Sequence, residues 1–108
     1  KGNSDTNELL RYTAPLNKTN ELPVDTSGYT MRIYYGKTVL PGTFKATLGN
    51  GSSKEDITTL FNSKAFSDEE VTIPLQLGKN TLNLSIKGKA ANGHDTKDSD
   101  SFIFTVLE

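Results

Sequence analysis

Three carboxylates crowd the approach to the last apolar run, in the order Asp95-Thr-Lys-Asp98-Ser-Asp100. Calcium takes roughly six to eight oxygen ligands, and clustered carboxylates at the end of a loop can supply several of them. Asp95, Asp98 and Asp100 are therefore the candidate metal ligands. The spacing lacks the glycine and distal glutamate of a helix-loop-helix calcium loop, and Lys97 lies among the acids, so solvated loop acids are the default reading. Asp68-Glu69-Glu70 reads the same way, as an acidic lead-in to a strand. His94 is the one histidine. Ser99 or Ser101 with Asp95 or Asp98 would complete a Ser/His/Asp set. Gly93-His94-Asp95 falls in a polar loop with no nucleophile elbow around it, and a triad is recognised by geometry rather than by composition. No catalytic residue is assigned, no cofactor is called for, and the chain is read as non-enzymatic.

Tyr12, Tyr29, Tyr34 and Tyr35 offer flat ring faces that could stack on a sugar. Alternation places Tyr29 and Tyr35 in the core and Tyr34 outside with Arg32, which leaves too little for a platform. Asn17-Lys-Thr19, Asn50-Gly-Ser52 and Asn83-Leu-Ser85 are N-glycosylation sequons. Asn50, in a turn, reads as the better acceptor, and Asn83 falls on the wet face of a strand.

The elements that must position these residues are strands. Val71, Ile73, Leu75 and Leu77 alternate with polar neighbours; so do Leu82, Leu84 and Ile86, and again Phe102, Phe104 and Val106. A period of two means one buried and one wet face. Tyr29, Met31, Ile33 and Tyr35 repeat the pattern, as do Phe44, Ala46 and Leu48. A weaker strand is expected over 9–14, loop over 15–28, and a turn over 36–42. Gly49-Asn-Gly-Ser-Ser53 is the strongest hairpin signal, because Asn and Gly tolerate positive φ. Over 54–61, Ser53 and Asp56 suit a capped helical turn, whereas Ile57, Thr58 and Thr59 favour a strand; the strand is preferred. Strands follow at 69–77, 80–87 and 100–107, with loop over 88–99. Pro74 cannot donate to a ladder, so strand 69–77 is expected at a sheet edge. The sum is an all-β sandwich of two antiparallel sheets with about seven strands.

A chain of 108 residues forms one domain. Twelve basic residues nearly balance thirteen acidic ones without a stripe or cluster, which argues against a nucleic-acid partner. Every apolar stretch is too short and too broken by charge to insert in a membrane. Absence of cysteine and tryptophan excludes an antibody-type disulfide core. Residues 1–8 read as a flexible linker, 9–106 as the sandwich domain, and Leu107-Glu108 is compatible with a cloning scar. The start at Lys1 reads as a fragment of a longer precursor.

Four segments together resemble the immunoglobulin-like repeats of bacterial and archaeal surface and secreted proteins: Pro41 to Leu48, Glu55 to Phe61, Val71 to Gly88, and Asp98 to Val106. Gly78-Lys-Asn-Thr-Leu-Asn-Leu84 is the most characteristic piece. The resemblance spans residues 29–106. It implies a non-catalytic structural or adhesive module of an extracellular or cell-surface multidomain protein, monomeric in isolation. Its partners would be neighbouring domains of the same chain, surface proteins or polysaccharide. The rival reading is an accessory domain that binds carbohydrate or calcium on an exported enzyme. Such repeats share no catalytic residues, so none is carried over. Contacts are expected in the loops over 49–54, 62–68 and 88–99.

Overall fold

The computed structural model describes residues 9–90 and 92–107; the linker expected over 1–8 lies outside them. They form two sheets packed face to face, as the alternating pattern predicts. Strands β1 (Leu10–Ala14), β3 (Gly28–Tyr35) and β6 (Ser67–Pro74) make a three-stranded sheet in the order β1-β3-β6. Strands β2 (Thr19–Leu22), β4 (Val39–Asn50), β5 (Ser53–Asp56), β7 (Gly78–Lys89) and β8 (Asp95–Val106) make a five-stranded sheet in the order β2-β8-β7-β4-β5. The inner faces meet in one core. Met31, Ile33, Tyr35, Val71 and Ile73 come from the small sheet, and Phe44, Ala46, Leu82, Leu84, Ile86, Phe102, Phe104 and Val106 from the large one. Side chains interdigitating from two such faces are the usual core of a sandwich.

There are eight strands among the described residues rather than seven, and one pairing is parallel. The extra strand is β2, inside the segment expected to be loop. Its sequence, Thr-Asn-Glu-Leu, is short, with Asn20 and Leu22 half-buried and only Leu22 an apolar side chain packed on the core, so it carries almost no periodic signal. The chain leaves β1 through the cis peptide Ala14–Pro15 and then joins the other sheet. There β2 runs parallel to β8, from Thr19↔Ile103 to Leu22↔Val106.

Three boundaries move for identifiable reasons. The turn expected over 36–42 ends early, because β4 already begins at Val39. Its pairing with β7 shifts between Leu40 and Lys45, where Pro41 and Gly42 sit. Such a bulge bends a strand and reverses which parity faces in: Val39 is buried before it, and Phe44, Ala46 and Leu48 after it. The Thr43 hydroxyl fills the gap, accepting the Lys87 N–H at 2.9 Å and donating to Leu40 O at 2.6 Å. The strand expected over 69–77 starts at Ser67 and stops at Pro74, leaving Leu77 54% exposed rather than in the core. The last strand begins at Asp95, not Asp100, and the loop expected over 88–99 shrinks to the turn between Lys89 and Asp95.

Pro74 does lie in an edge strand. Leu75 N–H bonds to Ser27 O at 3.0 Å, so the odd-numbered amides of β6 face β3 and the even-numbered ones face outward. Proline therefore occupies a position where no ladder donor is needed. Both readings of 54–61 find a place: β5 ends at Asp56 and a 3₁₀ turn follows over Thr58–Leu60. Asp56 caps that turn by accepting the Thr58 N–H at 2.9 Å, and its bonds to Thr58 hold its carboxyl below the usual range.

The molecule measures 47 × 26 × 23 Å. The 12-residue strands β7 and β8, each roughly 40 Å long at about 3.3 Å per residue, define the long axis. At the first pole lie Leu9, the turn after Tyr35, the loop over 61–66 and the β7–β8 turn: Gly36 N–H bonds to Leu9 O, and Phe66 N–H to Gly36 O. At the second lie the β4–β5 hairpin, the turn before Gly78 and Leu107, whose N–H bonds to Leu22 O at 2.9 Å.

Candidate functional site

Asp98 and Asp100 are strand residues. They continue the inward row of β8 formed by Phe102, Phe104 and Val106, and they face β1 across the gap between the sheets. The Asp98 carboxylate accepts the N–H groups of Leu9 and Leu10, both at 2.9 Å. Asp100 accepts the Tyr12 hydroxyl at 2.8 Å and pairs with the Lys18 ammonium at 2.8 Å. The Lys18 nitrogen also sits 4.7 Å from the Phe102 ring centroid, and the Tyr12 ring meets Phe102 edge-on at 4.7 Å. Burial, then the charge and hydrogen bond of Asp100, push the Tyr12 hydroxyl far above its ordinary pKa. It is thus a hydrogen-bond donor at neutral pH. This cluster ties β1 of one sheet to β8 of the other.

Asp95 points to the opposite, solvent side and pairs with Lys89 at 2.5 Å, which holds its carboxyl below the usual range. The three candidate calcium ligands are therefore not brought together, and among the described residues no group of three or more His, Cys, Asp or Glu side chains is placed to hold a metal ion. Asp68 and Glu70 face outward on β6, where Glu70 pairs with Arg32 at 3.4 Å. Glu69, between them, accepts the Tyr35 hydroxyl at 2.5 Å and the Asn62 N–H at 3.0 Å. Burial first, then this bond and the Glu69 charge, raise the Tyr35 hydroxyl well above its ordinary value.

His94 is exposed in the β7–β8 turn, where its carbonyl accepts the Ala90 N–H and its N–H donates to Asn92. Ser99 and Ser101 face solvent on β8, on the side opposite Asp98. Among the described residues no hydrogen bond joins His94 to either serine.

The tyrosines do not form a platform. Tyr35 is fully buried, Tyr12 and Tyr29 pack on Phe102 and Phe104, and Tyr34 lies outside under the Arg11 guanidinium at 5.0 Å. Of the sequons, Asn50 is less available than its turn position suggests. Its amide nitrogen, the atom a glycan would occupy, donates to Leu77 O and Lys79 O, both at 3.2 Å. Asn17 and Asn83 are exposed.

Among the described residues the most heavily bonded polar side chain is Asn80, the first residue of the strand expected over 80–87. It is 1% exposed. Its amide donates to Gln76 O, Gly78 O and Phe104 O at 2.8, 3.1 and 3.0 Å, and its carbonyl accepts Gln76 N–H at 3.1 Å. The available signal was phase: Asn80 shares the parity of Leu82, Leu84 and Ile86, just as Asp98 and Asp100 share that of Phe102 and Phe104.

A groove of about 520 Å³ runs between β1 and β8, lined by Tyr12, Leu16, Lys18 and Asp98 among others. The loop over 61–66 displays Phe66, 71% exposed, and holds Ser63 and Phe66 at φ of 48° and 58°. Non-glycine residues in that region are uncommon and concentrate where surrounding structure imposes them. No protein-family model matches this sequence, and no curated protein matches it either.

Proposed function

We propose that this chain is a non-catalytic structural or adhesive module, immunoglobulin-like in kind, of a cell-surface or secreted multidomain protein. It spaces its neighbours and presents loops for contact. The observation that carries the reading is the placement of the first and last described residues: Leu9 and Leu107 lie at opposite poles of a body 47 Å long. A unit traversed end to end adds its full length to a string of domains. The side chains that could do chemistry are used otherwise. Asp98 and Asp100 fasten two strands, and Glu69 and Asn80 fasten loops. The loop carrying Phe66 is the contact element of this reading, since loops on a rigid scaffold are where binding residues concentrate.

The test is placement of the full-length parent on its native cell. An antibody against the module should label intact cells, and surface protease should remove the label. Labelling that appears only after lysis contradicts the reading. Calcium titration followed by NMR separates the rival accessory-domain reading: saturable shifts over Asp95 to Asp100 would support it, and unchanged spectra would support the spacer.

A further inference from the structure

We infer that the outer face of the five-stranded sheet is a docking surface for a carboxylated polysaccharide, a polymer of uronic acid sugars. This surface is additional to the loop contacts of the adhesive reading above, and its assignment to a polysaccharide rests on that reading. Lysines that lie far apart in the sequence are gathered there by the register, because residues opposite one another in a ladder share a face. Lys79, Lys87 and Lys89 of β7, Lys97 of β8, Lys45 of β4 and Lys54 of β5 all fall on the side away from the core. Three carboxylates share that side: Asp95, which pairs with Lys89, Asp56, which caps the 3₁₀ turn, and Glu21 on the edge strand β2. The face is thus net positive in a chain whose formal net charge is -1. Among the described residues Lys45, Lys54, Lys79, Lys87 and Lys97 form no ion pair.

Lys87 and Lys97 stand directly opposite each other. The bond from Ala90 N–H to His94 O sets the phase of this ladder, so 87 and 97 are a non-hydrogen-bonded pair, the kind in which side chains come closest. Like charges placed this way are destabilising, and an anion lying between them relieves the repulsion. Toward the middle of the sheet the long side chains give way to short ones. Thr47, Asn83, Ser85, Ser99 and Ser101 floor a depression of about 390 Å³, with Lys45 beside them. Hydroxyls and side-chain amides both donate and accept hydrogen bonds, as sugar hydroxyls do, whereas an ammonium only donates and suits a carboxylate. The apolar side chains of the face are Leu40 and Ile103, too few to insert in a lipid surface. It carries no aromatic ring on which a base could stack. From Lys79 to Lys87 the face runs roughly 26 Å, at about 3.3 Å per residue, which suits a polymer segment better than a single sugar.

The test is NMR titration of the 108-residue chain with oligogalacturonate at low ionic strength, where exposed charges are screened least. Amides of Lys45, Asn83, Ser85, Lys87, Lys97 and Ser99 should shift saturably. Those of Arg32 and Tyr34, on the outer face of the other sheet, should not. A Lys87→Gln, Lys97→Gln double variant should bind roughly tenfold more weakly, the scale of two exposed charge contacts. An Arg11→Gln, Arg32→Gln variant loses the same charge from the opposite face and should bind as the parent does. Ser85→Ala with Ser99→Ala should weaken oligogalacturonate binding while leaving any attraction to polyphosphate, the probe for charge alone, unchanged. Absence of a saturable shift, shifts centred on the other sheet, or equal losses in the lysine and arginine variants overturns the proposal. So does unchanged oligogalacturonate binding in the serine variant, or polyphosphate or phosphatidylglycerol vesicles bound as tightly as oligogalacturonate. Should a variant fail to fold, the shift map and the three probes on the unaltered chain decide the matter. The surface-module reading fails separately, by absence of the parent from the cell surface, whatever binding is measured here.

Discussion

At the scale of single residues, the polar groups with the most to lose are those turned inward. Asn80 satisfies three backbone carbonyls and one N–H in a site almost closed to water. A buried group left without its partner costs its desolvation, so Asn80→Ala is expected to destabilise the fold by roughly 2–4 kcal/mol in urea titration. Asp98→Ala strands the Leu9 and Leu10 amides, whereas Asp98→Asn keeps an acceptor there; the alanine variant should be the less stable of the two. The tyrosines set the alkaline limit. Tyr12 and Tyr35 have folded-state pKa values raised by burial and by their carboxylate partners. Raised folded values mean that the folded state favours the protonated form. Their contribution is fully present below the unfolded tyrosine pKa of about 10 and is lost as pH rises above it. Thermal melts should therefore hold steady to pH ~9 and fall steeply above pH ~10, and a Tyr12→Phe, Tyr35→Phe double variant should flatten that fall. An unchanged alkaline slope in the double variant would contradict the assignment.

At the scale of elements, what could be read in advance depended on which residues fill the inward row. Where the row is apolar, as in β3, β7 and the second half of β8, the strands stood out, and so did the hairpin at Asn50-Gly51. Pro74 announced the edge position of β6 for a sound reason, since its missing donor faces outward. The first half of β8 was hidden because its inward row holds Thr96, Asp98 and Asp100, whose partners come from a segment about 90 residues earlier in the chain. Strand β2 gives no signal because a four-residue edge strand with one apolar residue is too short to show a period. The acids before the last apolar run read as solvated loop residues, because alternation counted only over apolar residues does not say that Asp98 and Asp100 point inward. Two outcomes test the element-level account. Amides of Val71 and Ile73 should exchange slowly and those of Glu70 and Thr72 quickly, because only the odd-numbered amides of β6 face β3; uniform protection across β6 would place another strand beyond it. Gly88→Ala should cost roughly 1–3 kcal/mol, the range for overpacking, because a Cβ there would lie 2.6 Å from Thr38 O and 3.1 Å from Leu9.

At the scale of the whole molecule, the account turns on direction. A unit whose first and last strands opened at the same pole would hang from its neighbours rather than extend them. Here the inter-sheet crossing after β1 carries the first strand pair along the body, and β8 leaves at the far end. The same arrangement leaves the apolar Phe66 at the first pole and the apolar Val24, Leu77 and Leu107 around the second. Phe66→Ala should therefore leave urea stability within about 0.5 kcal/mol of the parent, as for other exposed positions, while weakening any contact that the loop makes. The most direct test of the central claim is small-angle X-ray scattering from two copies of the chain joined in tandem. An in-line spacer predicts that the maximum dimension of the pair approaches twice that of one copy, whose body is 47 Å long. A pair no longer than a single copy, with the two bodies folded side by side, would contradict it.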